Sequence, residues 1–241
     1  MKNVILVLTW LMLTIPCAAD IIIVDDDWPY DFNDIQAAIN YSSNGDIIVV
    51  FPGTYYPHGE GITFLGKAVT VTSVDPQDPY IVAATIIEPP VYEGEGDYEY
   101  NGRGFYFGET AGPDSVINGL TIRNFFNFDH GSAIYCHGSS PTISNCVITG
   151  NHTYDAGAAI YSYYGGSPTI SNCIITGNTT YDHGGGIYCQ GGNPQIINCV
   201  ISENTSEMGN GGGIYCESGS PRIINSAITG NLSKTGNGGG V

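Results

Sequence analysis

Asp129, Asp155 and Asp182 are the residues whose type and spacing point most directly to chemistry. They stand in Asp129-His130-Gly131, Asp155-Ala156-Gly157 and Asp182-His183-Gly184, separated by steps of 26 and then 27 residues. If each step is one turn of a coiled backbone, the carboxylates stack about 5 Å apart. Stacked carboxylates repel unless one is protonated or a cation lies between them. Such a column suits calcium, which gathers several oxygen ligands. It also suits acid–base catalysis, since retaining glycosidases hold their two carboxyls about 5–5.5 Å apart. His130 and His183 would then give or take protons near neutral pH. The same residues equally fit a plainer role, in which Asp caps a turn and His is a solvated neighbour. Gly209 ends the column.

Tyr135, Tyr161, Tyr188 and Tyr215 form a second series. Each follows an isoleucine and precedes Cys136, Ser162, Cys189 or Cys216. Strand alternation sends the tyrosines outward if the isoleucines face in. An exposed tyrosine strip can bind sugar rings or a partner surface, or simply stack on itself. Tyr163 and Tyr164 widen the strip at one coil. The cysteines fall in two columns, Cys136, Cys189, Cys216 and Cys146, Cys173, Cys199. Parallel neighbours hold their Cβ atoms about 4.8 Å apart, wider than the roughly 3.5–4.5 Å of disulfides, so buried thiols acting as small apolar groups are expected. Cys-x-x-Cys does not occur, which argues against a zinc knuckle. Asp25-Asp26-Asp27 and the acidic Glu93, Glu95, Asp97 and Glu99 can each hold calcium or be solvated charge.

These residues need a scaffold, and the repeat supplies it. Ser140-Pro141-Thr142-Ile143-Ser144-Asn145-Cys146 recurs from Ser167, Asn193 and Ser220, in steps of 27, 26 and 27 residues. A period of this length marks a solenoid. In register, Ile143, Ile170, Ile196 and Ile223 form one column, Ile148, Ile175, Ile201 and Ile228 a second, and Ile134, Ile160, Ile187 and Ile214 a third. Three β-branched columns between Gly, Asn and Pro turns predict three strands per coil, pairing in parallel around a narrow core. Asn145, Asn172, Asn198 and Asn225, and Asn151, Asn178, Asn204 and Asn231, mark bends. Asn tolerates left-handed backbone, and its amide can donate to its copy one coil away. The N-x-S/T matches of the second column follow from the repeat itself.

Composition agrees. The 241 residues include 34 Gly and only six Lys and Arg against 23 Asp and Glu, a net charge of −17. So few cations cannot displace counterions from a phosphate backbone, and nucleic acid is excluded as a partner. With 42% apolar and 12% charged residues, the chain is not disordered. Residues 1–19 read as a signal peptide, with a short basic start, an apolar stretch over 4–15 and a small-residue cleavage site. A secreted or cell-surface location is therefore expected, with no transmembrane span in the chain. Residues 20–241 read as one β-helix domain, with irregular coils over 20–114 and regular repeats over 115–241. Phe32, Ile35, Ala38 and Ile39 fall at helical spacing and predict a short N-terminal helix covering the open end of the core. The chain stops inside a repeat at Gly238-Gly239-Gly240-Val241, as a fragment of a longer protein would.

Ile35-Gln36-Ala37-Ala38-Ile39, the run Gly45-Asp46-Ile47-Ile48-Val49-Val50-Phe51-Pro52-Gly53-Thr54-Tyr55, and Gly66-Lys67-Ala68-Val69-Thr70-Val71 resemble the opening of right-handed parallel β-helices of the pectin-lyase-like superfamily. The later Gly131-Ser132-Ala133-Ile134, Gly157-Ala158-Ala159-Ile160, Gly184-Gly185-Gly186-Ile187 and Gly211-Gly212-Gly213-Ile214, with Ile-Thr-Gly-Asn at 148–151, 175–178 and 228–231, are similar to repeats of the polymorphic outer-membrane proteins. The resemblance implies an all-β, three-sheet solenoid, but a fold of this kind hosts many activities. Polysaccharide lyases of the superfamily bind calcium through acidic residues and use Arg or Lys as base. Here Lys67, Arg103, Arg123, Arg222 and Lys234 do not stack, and Arg123 lies nearest the Asp column in sequence. Paired Asp-Asp with Gly-His-Gly, the polygalacturonase pattern, is absent, and the net charge repels a polyuronate unless cations intervene. The expected function is a β-helix module that binds glycans or a surface partner. The alternative is a polysaccharide lyase or glycoside hydrolase acting through Asp129, Asp155, Asp182, His130 and His183.

Overall fold

The computed structural model describes residues 19–27, 30–90 and 102–241. Residues 1–18, which cover most of the expected signal peptide, and Glu93, Glu95, Asp97 and Glu99 lie outside the described residues. Short strands alternate with bends, and each strand pairs in parallel with its copy in the next coil. Ile143 lies opposite Ile117 and Ile170, Ile148 opposite Ile122 and Ile175, and Ile134 opposite Phe105 and Ile160. All are fully buried in one continuous core. The three expected columns thus build sheets of eight, seven and six strands.

A fourth, five-stranded sheet adds to the three that the isoleucine columns predict. Its two-residue strands include Phe126–Asn127, His152–Thr153, Thr179–Thr180 and Thr205–Ser206. The inward residues are Asn127, Thr153, Thr180 and Ser206, polar yet fully buried. Most buried polar groups are hydrogen-bonded, and here Asn127 Oδ1 accepts the Asp129 N–H at 2.8 Å while its Nδ2 has no partner among the described residues. Three of these hydroxyls reach back one coil: Thr153 donates to the Asp129 carbonyl, Thr180 to that of Asp155 and Ser206 to that of Asp182.

The second Asn column forms the amide ladder that its spacing predicts. Asn151 Nδ2 donates to Asn178 Oδ1 at 2.9 Å, Asn178 Nδ2 to Asn204 Oδ1 at 2.9 Å, and Asn204 Nδ2 to Asn231 Oδ1 at 3.0 Å. Each amide nitrogen also donates to a core carbonyl, as Asn178 does to Ile148 at 3.0 Å. The left-handed backbone belongs to the first column, where Asn145, Asn172, Asn198 and Asn225 have φ between 48° and 54°.

At the N-terminal end, α1 (Ile35–Tyr41) starts at Asp34, whose carboxylate accepts the Ala37 N–H at 2.6 Å. It buries Ile35, Ala38 and Ile39 against Ile21–Val24, Ile47–Val50 and Ile62–Thr63, the first strands of two sheets. It therefore covers the end of the core, as its periodicity predicts. A second helix, α2 (Pro79–Ala84), is capped by Asp78 with Pro79 at its first position, a start signal that the sequence carries but the periodicity obscures.

Two positions break one glycine column, Asn124 at φ 62° and Glu203. Gly150, Gly177 and Gly230 have φ of 64–65°, and Glu203 takes the same place at φ 57°. Left-handed backbone is unfavourable for a residue with a Cβ. Glu203→Gly is therefore expected to stabilise the protein by about 0.5–1 kcal/mol, read as a higher urea midpoint with an unchanged slope.

Candidate functional site

The Asp column sits in the bends that join the short fourth sheet to the six-stranded sheet. The buried hydroxyls hold its backbone, so three carboxylates are presented at coil spacing from fixed main chain. The side chain of Asp129 is exposed, and those of Asp155 and Asp182 are half-buried. They are not gathered equally. Ligand atoms of Asp129, His130 and Asp155 lie within 4.8 Å of one another, while Asp182 pairs with His183 one coil on. Two carboxylates and an imidazole depart from the all-oxygen set that calcium prefers.

The two histidines differ. His183 Nδ1 accepts the Asn210 N–H at 2.7 Å, and its Nε2 lies 3.3 Å from Asp182 Oδ1. The backbone donor fixes the proton on Nε2, so this ring has no free lone pair with which to act as a base. His130 Nδ1 lies 3.3 Å from Asp155 Oδ2 without a hydrogen bond of good geometry. Burial chiefly pushes the Asp155 carboxyl above its ordinary range; His130 pulls it down, and Asp182 and Asp129 push it up. Gly209 ends the column for a steric reason, since a Cβ there would lie 2.5 Å from His183 Nδ1.

Arg103, not Arg123, is the guanidinium at the column. It is buried, donates to Glu60 at 3.0 Å and to the His130 carbonyl at 3.2 Å, lies 3.6 Å from Asp129 and covers the Tyr135 ring at 4.8 Å. Arg123 instead pairs with Glu88 at 2.7 Å. Lys67 donates to the carbonyls of Ile39, Asn40 and Ser42 at the end of α1. These contacts engage the charged ends of Arg103, Arg123 and Lys67 within the fold.

The tyrosine strip is a correction. Tyr135, Tyr161, Tyr188 and Tyr215 do point out of the core and stack at 4.9–5.6 Å, but they are not exposed. Tyr161 and Tyr188 are only 3% and 7% accessible, and Tyr135 and Tyr215 are half-buried. The Asp-bearing bends fold back over them. His130 stacks on Tyr161 and His183 on Tyr215, each at 4.4 Å, and Ala156 packs between. Burial raises the phenols of Tyr161 and Tyr188. Tyr161 and Tyr188 form an internal stack, with Tyr135 and Tyr215 half-covered at its ends.

The exposed aromatic face lies one residue before each Asp, where the sequence reading did not place it. Phe128, Tyr154, Tyr181 and Met208 are 54%, 46%, 47% and 56% accessible. Phe128 and Tyr154 stack at 5.4 Å with planes 6° apart, and Tyr154 meets Tyr181 at 6.1 Å. Phe126 packs edge-on against Phe128 and Tyr154 and props the ladder. The cue was available in Phe128-Asp129, Tyr154-Asp155 and Tyr181-Asp182.

Residues 98–241 match the family described as "right handed beta helix region". The chain belongs to the right-handed β-helix family. No curated protein and no solved structure matches it. Membership of the β-helix family establishes the solenoid and fits the pectin-lyase-like resemblance; it assigns no residue a role, because β-helices carry unrelated sites. The six described cysteines are free thiols and five are buried; burial pushes the Cys136 thiol up to about 12. Asp25, Asp26 and Asp27 cluster within 4.8 Å beside a cavity of about 890 Å³ lined by Asp26, Asp34, Tyr55, Tyr56 and His58. No helix among the described residues is long and apolar enough to cross a membrane.

The raised Asp155 carboxyl has a signed consequence. A carboxyl that holds its proton more tightly in the folded state loses stability as pH rises through its folded value. Asp155→Asn is expected to be more stable than wild type at neutral pH, by less than about 1 kcal/mol because the site is half-exposed. The gain should vanish below about pH 4, as paired urea titrations across pH would show.

Proposed function

We propose that this β-helix is an exported surface module that binds a polysaccharide along the ladder of Phe128, Tyr154, Tyr181 and Met208. The observation that carries this is the ladder itself, a row of accessible apolar side chains repeated once per coil and aligned with the solenoid axis. Sugar rings present apolar faces to aromatic side chains, and a polymer can use the rungs in series, so that weak contacts multiply. The ladder takes over the role expected of the tyrosine column from its sequence. Binding of soluble polysaccharides to the intact chain tests it. Tyr154→Ala with Tyr181→Ala is expected to weaken binding by about a hundredfold, while Tyr188→Phe leaves it unchanged. Equal binding by the double variant would sink the assignment.

The cluster of Asp129, His130 and Asp155 supports a second reading, glycan cleavage, with the raised Asp155 carboxyl as acid and Asp129 as its partner. Calcium on Asp129, Asp155 and Asp182 belongs with this reading, and so far the geometry favours only the first two carboxylates. Cleavage that persists in Asp155→Asn would exclude it.

A further inference from the structure

We infer that the polymer taken by the ladder carries protonated amines, as an amino-sugar chain does; this rests on the polysaccharide reading above and names its substrate class. Asp129, Asp155 and Asp182 each follow an exposed rung directly. Each of three coils therefore offers an apolar platform with a carboxylate on the neighbouring residue, whose Cα is about 3.8 Å along the chain from that of the rung. A fourth rung, Met208, follows Glu207.

The cationic and imidazole side chains around the ladder already face the protein's own carboxylates, His130 among them at 3.3 Å from Asp155 and 3.7 Å from Asp129. Arg103 is buried and engaged by Glu60 and Asp129. Arg123 pairs with Glu88, and Lys234 with Glu207 at 2.7 Å. His183 has its free nitrogen occupied by Asn210. Among the described residues, these contacts leave no unpaired Lys or Arg beside the Asp column. A polyuronate would meet repulsion at every coil, and a neutral glycan would leave the carboxylates unused. A cationic glycan places rings on the rungs and ammonium groups by the carboxylates. One exposed ion pair is worth little, so the preference must build up by repetition along the coils.

The test is calorimetric titration of the intact chain, in slightly acidic low-salt buffer, with β-linked glucosamine oligomers. Their N-acetylated counterparts, oligogalacturonate with and without calcium, and oligolysine serve as comparisons. Glucosamine oligomers are expected to bind about tenfold or more tighter than the acetylated ones, and added salt should erase the difference. Asp155→Asn with Asp182→Asn should remove the preference but keep the binding of acetylated oligomers, with an unchanged β circular-dichroism spectrum.

Equal affinity for both sugars would overturn the inference and leave the polysaccharide reading intact. Tighter calcium-dependent oligogalacturonate binding would overturn it in favour of a metal-bridged uronate. Oligolysine binding as tightly as glucosamine oligomers would overturn it by showing that charge alone suffices. No binding of any sugar would overturn the polysaccharide reading itself.

Discussion

Asn178→Ala is expected to lower the unfolding free energy by about 4 kcal/mol. Asn178 Oδ1 accepts both the backbone N–H and the side-chain amide of Asn151, at 3.1 and 2.9 Å. Its Nδ2 serves the Ile148 carbonyl and Asn204 Oδ1. Truncation orphans two donors and weakens two acceptors in a fully buried column, and each lost partner costs about 1–3 kcal/mol, partly relieved by relaxation. Asn231→Ala, at a rung that is only half-buried, should cost about 1 kcal/mol. Urea unfolding of the two variants checks the ratio, and equal losses would mean that the ladder is not a buried network.

The second large effect is expected at Gly184. Its φ is 67°, and the same place in the other coils is Gly131, Gly157 and Gly211, with φ of 61–68°. A Cβ at Gly184 would lie 2.6 Å from the Ile187 carbonyl oxygen and 3.1 Å from Tyr188 Cα. Neither is a flexible side chain that can move aside. Gly184→Ala therefore combines a left-handed backbone penalty with overpacking, about 3 kcal/mol together. It should also shift Asp182 and His183, which enter the same bend. Gly112→Ala is the control, because nothing lies within 4 Å of a Cβ there and its backbone is not left-handed; its stability should stay within about 0.5 kcal/mol of wild type.

The solenoid was legible because its inward residues are β-branched and recur at one period: Ile143, Ile148 and Ile134 each head a column that the structure buries as far as Ile196, Ile201 and Ile214. The fourth sheet was not, because its inward residues are Asn127, Thr153, Thr180 and Ser206, and polarity hides a buried strand from a search for apolar columns. Alternation correctly sent Tyr161 and Tyr188 out of the core, but it says nothing of what folds over them, and His130, Ala156 and His183 do. Phe128, Tyr154, Tyr181 and Met208 shared the period all along. They sit in or beside bends, where no alternation rule assigns a direction. Arg103 escaped because it lies in an irregular coil, whose register with the next is set by Phe105 opposite Ile134 and not by the regular step.

In the amide ladder, every Asn side chain donates in the same direction, from Asn151 towards Asn231. Each regular coil thus presents to its successor the same surface that it receives from its predecessor. A whole coil can be duplicated or excised with the amide ladder kept continuous, provided that the cut falls at equivalent positions and a glycine still follows His183 in the next coil. Length in such a molecule is quantised in increments of about 4.8 Å, and the number of rungs offered to a long ligand changes by one with each. Gene-level gain or loss of a single repeat would therefore adjust reach and avidity together, with no need to redesign the core.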